Sequence, residues 1–190
     1  MGCGKSSVGR KLSQLLCCPF IDHDEAVEEV GGKRIPEIFA SDGEAAFRRL
    51  ETQILKDILS AEHERQYAPC EVGGVNEIPM TISAVLALGG GTVMTEECAE
   101  LVRKNSCCIY LRASVYTLLE RLSSNTSNRP LLTREPHAAL QGAQRRGNPS
   151  LHSRIDELMS QRSSTYDKTA HTIIDIDGKS IEQICSEILC

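Results

Sequence analysis

The stretch Gly4-Lys5-Ser6-Ser7 near the start of the chain constrains the fold more than anything that follows it. It is the closing half of the phosphate-binding pattern G-x-x-x-x-G-K-[ST], and that pattern works in only one setting. A buried β-strand must end just before the loop and a helix must begin at its lysine, so that backbone N–H groups surround phosphate oxygens. A helix does follow. Val8, Leu12, Leu15 and Leu16 fall at i, i+4, i+7 and i+8, which is one face of a 3.6-residue period. The strand does not precede it, because the leading glycine would stand two places before Met1. Without its helix, the stretch would be only a glycine-rich tail.

The remaining chain gives that loop a plausible host. Its 190 residues fit one domain with a sizeable core. The net charge of −5 argues against nucleic acid as the main partner, and the absence of Trp with 4% aromatic residues removes stacking platforms for bases. No apolar run approaches the roughly 20 residues of a membrane span, and no secretory h-region is visible. Nine cysteines without a C-x-x-C pair imply reduced, mostly buried thiols in a cytosolic protein.

Strands and helices alternate. CCPFI (17–21), SAVLAL (83–88), CCIYL (107–111) and HTIID (171–175) read as strands. Ser41-Asp42-Gly43-Glu44 has the form of a capping box and opens a helix whose stripe is Phe47, Leu50, Ile54 and Ile58. Helices are also expected through Leu118 and Leu119, over 151–166 and over 180–189. Continuous apolar strands alternating with helices indicate an α/β fold, a parallel sheet covered on both faces. The polar stretches 62–80 and 133–150 read as surface insertions in a single domain spanning 1–190.

A phosphate loop assigns its lysine, Lys5, to the β- and γ-phosphates and its hydroxyl, Ser6, to Mg²⁺. The backbone of Gly2, Cys3, Gly4, Lys5 and Ser6, with Ser7 beside it, forms the nucleotide cradle. A carboxylate is needed near the metal. SAVLAL ends in Gly89-Gly90-Gly91 rather than Asp, so Asp22-His23-Asp24 is the expected source. On an extended segment Asp22 and Asp24 point the same way. Side by side they repel unless a cation or a proton separates them; the alternative is a solvated turn. His23 is expected at the surface. Arg162 continues the apolar stripe of Leu151, Ile155, Leu158 and Met159, and an inward guanidinium is costly unless an anion meets it. Arg48, between Glu44 and Glu51, is either an intrahelical ion-pair partner or a ligand group. The three glycines form either a turn or a place where backbone approaches ligand. Arg129, before Pro130, either closes over a phosphoryl group or is solvated.

Taken in order, MGCGKSSVGRKL, FIDHDEAVEE, IPEIFASDGEAAFRRLE, LALGGGTV, NRPLL and QRSSTYDKTA resemble the shikimate kinases over nearly the whole chain. The resemblance implies a three-layer P-loop kinase fold with a five-stranded parallel sheet ordered 2-3-1-4-5. It implies phosphate transfer from ATP, with Mg²⁺, to the 3-hydroxyl of shikimate on the route to chorismate. Asp24, Arg48, Arg162 and Gly89–Gly91 would hold shikimate, and Asp24 would accept the hydroxyl proton. Ser6 and Asp22 would hold the metal, and Arg129 would be the lid arginine. Arg121 and the Asp177-Gly178-Lys179 turn, with Lys179, would lie near adenine. A cytoplasmic monomer is implied. The alternatives are another P-loop small-molecule kinase, such as a gluconate kinase, or a non-catalytic remnant.

Two departures stand out. The lid from Arg129 to Arg162 is long, and strand 1 of the family sheet is missing. Four or five buried apolar side chains are worth roughly 6–15 kcal/mol, as much as a typical domain's whole stability of about 5–15 kcal/mol. A chain starting at Met1 is therefore expected to fold poorly, and Met1 to be an internal methionine of a longer protein.

Overall fold

The computed structural model describes residues 2–64, 82–123 and 151–190. Its elements in chain order are α1 (Lys5–Leu15), β1 (Phe20–Asp22), α2 (His23–Gly31), α3 (Ile35–Ser41), α4 (Gly43–Glu64) and β2 (Val85–Ala87). A 3₁₀ turn (Thr92–Met94) leads to α5 (Glu96–Asn105), β3 (Ile109–Arg112), α6 (Val115–Ser123), α7 (Leu151–Thr169), β4 (Thr172–Asp175) and α8 (Ile181–Leu189). Each expected strand is present, shorter than the apolar run that announced it. Arg129, most of the 62–80 stretch and all of 133–150 lie outside the described residues; α4 takes the first stretch up to Glu64.

The strands pair in parallel, β1 with β2 (Asp22 opposite Ala87) and β3 with β4 (Arg112 opposite Asp175). Because β1 and β2 run the same way, their carboxyl ends share one edge. The turn after Asp22 and the glycines after Leu88 are thereby brought side by side. Three apolar clusters hold the helices to this frame. Val8, Leu12, Leu111, Leu118, Ile155, Ile174 and Ile184 join α1, α6, α7 and α8 to β3 and β4. Leu55, Leu59, Cys98 and Val102 join α4 to α5, with Leu86 of β2 against them. Val27, Ile38, Phe47 and Ile54 join α2 and α3 to α4, which buries the stripe expected on α4.

Two local expectations are corrected. Ser41 does not cap α4. It lies in the last turn of α3, where its hydroxyl donates to the Glu37 carbonyl at 2.8 Å. The cysteines are not mostly buried either. Among the described residues Cys3, Cys98 and Cys185 are buried, whereas Cys17, Cys107 and Cys190 are exposed. The two cysteine pairs sit just ahead of β1 and β3 rather than inside them, and in each pair the first thiol is exposed and the second half-buried. No helix among the described residues is long and apolar enough to cross a membrane.

The described strands form two two-stranded sheets, not one. The order 2-3-1-4-5 implied by the resemblance would set these two pairs on either side of one further strand. Between β2 and β3 lies an apolar cleft lined by Leu88, Ile109, Leu111, Leu118 and Met159. Tyr110 faces it too, and its buried hydroxyl has no hydrogen-bond partner among the described residues. Burial pushes that phenol up to about 12. A fused strand of four or five apolar residues, followed by Gly and two loop positions upstream of Gly2, should fill the cleft. Thermal unfolding of the extended and 190-residue chains, side by side, checks this. The extended chain should melt higher and more cooperatively; equal melting temperatures would show that the cleft needs no strand.

Candidate active site

The phosphate loop is built from backbone. Gly2 and Gly4 adopt φ of 73° and 82°, in the left-handed region that glycine enters without strain. Gly4 is the N-cap of α1 and supplies no side-chain cap, so the first amides of the helix remain open to an anion. Lys5, Ser6 and Ser7 form that first turn. Arg121 lies across the loop, with Nη1 donating to the Cys3 carbonyl at 3.3 Å.

Beside the loop, the Ser6 hydroxyl donates to Asp22 Oδ2 at 2.7 Å. The other oxygen, Oδ1, accepts from the Asp24 N–H at 3.1 Å and so caps α2. This corrects the geometric reason for grouping the two aspartates. The strand ends at Asp22 and a helix starts at His23, so a two-residue strand repeat does not align them. The cap does. A hydroxyl and a carboxylate oxygen at this distance form a hard-oxygen donor set of the kind Mg²⁺ accepts, so these residues fit that ion.

Asp24 sits against the glycine turn. A Cβ on Gly89 would come within 2.5 Å of Asp24 Oδ1 and 2.9 Å of Thr92 Oγ1, so only glycine leaves room for both. Although Asp24 is exposed as a residue, the protein around its carboxylate desolvates it and raises its pKa above the ordinary value. The Asp22 charge raises it further, while Lys5 pulls it down.

Arg48 reaches the same turn from α4. Its Nη1 donates to Glu51 Oε2 at 2.6 Å, and Glu44 lies 3.6 Å from Nη2. Both of its Nη atoms would stand 2.9 Å from a Cβ on Gly91, so the ion pair and the approach to the glycines coexist. Arg162, from α7, donates to the Gly90 carbonyl at 3.1 Å, and the Tyr166 hydroxyl donates to the same oxygen. Asp24, Arg48 and Arg162, far apart in sequence, thus meet on Gly89–Gly91. Lys179 pairs with Glu187 of α8 and has no described contact with the loop.

His23 contradicts its surface expectation: it is fully buried. Burial pushes its pKa below the ordinary histidine range, against the pull of Glu51 and Asp24. Thr92, also fully buried, escaped sequence reasoning altogether. The available signal was helical spacing, since His23 and Val27 stand four apart on the buried face of α2.

Comparison with known proteins places the chain in a family. The family model described as shikimate kinase matches residues 1–64 and 56–190. The shikimate kinase of Thioalkalivibrio sulfidiphilus is 35% identical over 188 residues, covering 99% of this chain and 80% of that protein. That of Rhodococcus jostii is 34% identical over 188 residues, covering 99% and 90%. Among solved structures, a shikimate kinase from Acinetobacter baumannii in complex with shikimate has a TM-score of 0.77 at 28% identity. The match covers 100% of this chain and 86% of that one. The Aquifex aeolicus shikimate kinase has a TM-score of 0.70 at 30% identity, covering 100% and 89%. By sequence along its whole length and by fold, the chain belongs to the shikimate kinase family.

Proposed function

We propose that this protein transfers the γ-phosphoryl group of ATP to the 3-hydroxyl of shikimate. The observation that carries the reading is the convergence of Asp24, Arg48 and Arg162 on Gly89–Gly91, next to the phosphate loop and the Ser6–Asp22 pair. Two forked guanidiniums suit a planar carboxylate, and Arg48 and Arg162 have donors to spare beyond their present bonds. Asp24 then faces the hydroxyl to be phosphorylated. As that oxygen bonds to the γ-phosphorus, the bond to the β–γ bridging oxygen breaks and ADP leaves. The hydroxyl proton passes to the Asp24 carboxylate.

Lys5 and the open amides of α1 hold the phosphates in line. Ser6 and Asp22 are the residues that would hold Mg²⁺, which when bound neutralises phosphate charge. Arg121, whose guanidinium donates to the Cys3 carbonyl of the loop, would lie near the nucleotide. Arg129 over the transferring phosphoryl group and Lys179 near adenine are carried by the family resemblance, as are the cytoplasmic location and the monomeric state.

Asp24→Asn should lower turnover by about a hundredfold or more while ATP affinity barely moves. Steady-state kinetics with shikimate and ATP varied in turn check this, and a folded variant with unchanged turnover would remove Asp24 from the mechanism. Arg162→Lys keeps the charge but loses the fork. Its shikimate KM should rise about tenfold, with ATP KM unaffected, and equal KM values for variant and parent would contradict the carboxylate role.

The charge at Asp24 gives a separate prediction. In the metal-free protein its side-chain carboxyl carbon, followed by NMR, should titrate above the ordinary aspartate value of 3.8. A carboxyl whose folded pKa is raised holds its proton more tightly folded than unfolded, so ionising it costs stability as pH rises through that value. Lys5→Met removes the opposing charge and should move the midpoint higher still. A midpoint at or below 3.8, or one indifferent to Lys5→Met, would contradict this electrostatic account.

A further inference from the structure

His23 is a fully buried histidine to which the reaction above gives no task. Its ring extends from the Asp22–Asp24 turn into the core. There Nε2 lies 3.1 Å from the Glu51 backbone carbonyl, and Nδ1 lies 3.4 Å from the Thr92 hydroxyl. The Thr92 hydroxyl is 2.8 Å from Glu51 Oε1, and the other oxygen of that carboxylate holds Arg48. Proton counting sets the directions. A carbonyl only accepts, so Nε2 carries the hydrogen and donates it. Thr92 has one proton, and the carboxylate paired with Arg48 takes it at the shorter distance. Nδ1 is left bare, which agrees with its contact being the longest of the three.

We propose that His23 and Thr92 are positioning residues that lock Glu51, and through it Arg48, in register with Asp24. Three segments meet here: the Asp22–Asp24 turn, α4 through Glu51, and the glycine turn through Thr92. For core filling alone, a histidine at zero exposure gains nothing over leucine and carries the cost of a buried polar group. What it adds is one donor and a fixed orientation. Thr92 Oγ1 and Asp24 Oδ1 also flank Gly89 on the side where a Cβ would stand, so moving the threonine moves the wall against which the aspartate rests. Neither residue touches the substrate. The shikimate-binding consequence rests on the function proposed above; the locking of Arg48 does not.

The test uses the 190-residue chain with His23→Leu, His23→Gln and Thr92→Val. Leucine keeps the bulk and loses the donor, glutamine returns a donor near the Nε2 position, and valine keeps the threonine shape without its hydroxyl. Two quantities are read: the KM for shikimate beside that for ATP, and the guanidinium signals of Arg48 in ¹⁵N-arginine-labelled protein. His23→Leu and Thr92→Val should raise shikimate KM about tenfold and leave ATP KM within about twofold. They should also merge the separate Nη signals of a guanidinium held on Glu51, and His23→Gln should recover both properties. If His23→Leu does not fold, Thr92→Val decides. Folded variants with parental shikimate KM and parental Arg48 signals overturn the proposal, as does a parallel loss for both substrates with Arg48 signals intact. If the parent does not phosphorylate shikimate, the function proposed above fails, and the Arg48 signals alone decide this inference.

Discussion

A carboxylate on a residue that is 2% exposed must be matched, and that of Glu51 is matched by Arg48 of its own helix and by Thr92 of the glycine turn. Arg48 meets one oxygen, Thr92 meets the other, and His23 secures the backbone of the same residue. A buried charge with a partner removed typically costs several kcal/mol, so the three segments are not free to drift independently. The open face of Arg48 is therefore presented toward Gly91 before any ligand arrives. Phosphoryl transfer depends chiefly on positioning and charge neutralisation, and such preorganisation is the protein's main contribution to it.

The second determinant is the parallel register of β1 and β2. It places the Asp22 carboxylate and the glycine turn at one edge, and the helix that starts at Lys5 delivers Ser6 to Asp22. Nothing comparable links β2 to β3 among the described residues. There apolar side chains line a cleft, and a buried tyrosine hydroxyl has no partner among the described residues. The site is thus well braced on the side of the glycine turn.

Much of this was legible in the sequence, for identifiable reasons. Strand and helix alternation follows from apolar periodicity, and the loop, the paired aspartates and the glycine triplet are local patterns in which each residue type has a defined use. The convergence of Arg48 and Arg162 on the glycines could only be anticipated, because it depends on contacts between residues more than 40 positions apart, such as Arg162 with Gly90. His23 was misjudged because a histidine between two aspartates suggests solvent, whereas the strand ends one residue earlier and the helix turns the ring inward. Ser41 was misjudged because a preceding helix, α3, claimed its hydroxyl first. Both errors lie at element boundaries, where local pattern is weakest and tertiary packing decides.

The central claim is that this constellation recognises a carboxylate-bearing cyclic alcohol and phosphorylates one of its hydroxyls. The most direct measurement is ADP release by the purified chain with shikimate, with shikimate lacking its carboxylate, and with gluconate, at equal concentrations. The account predicts turnover with shikimate, a loss of about a hundredfold or more in kcat/KM when the carboxylate is removed, and only background with gluconate. Comparable rates with and without the carboxylate, or a preference for gluconate, would contradict it.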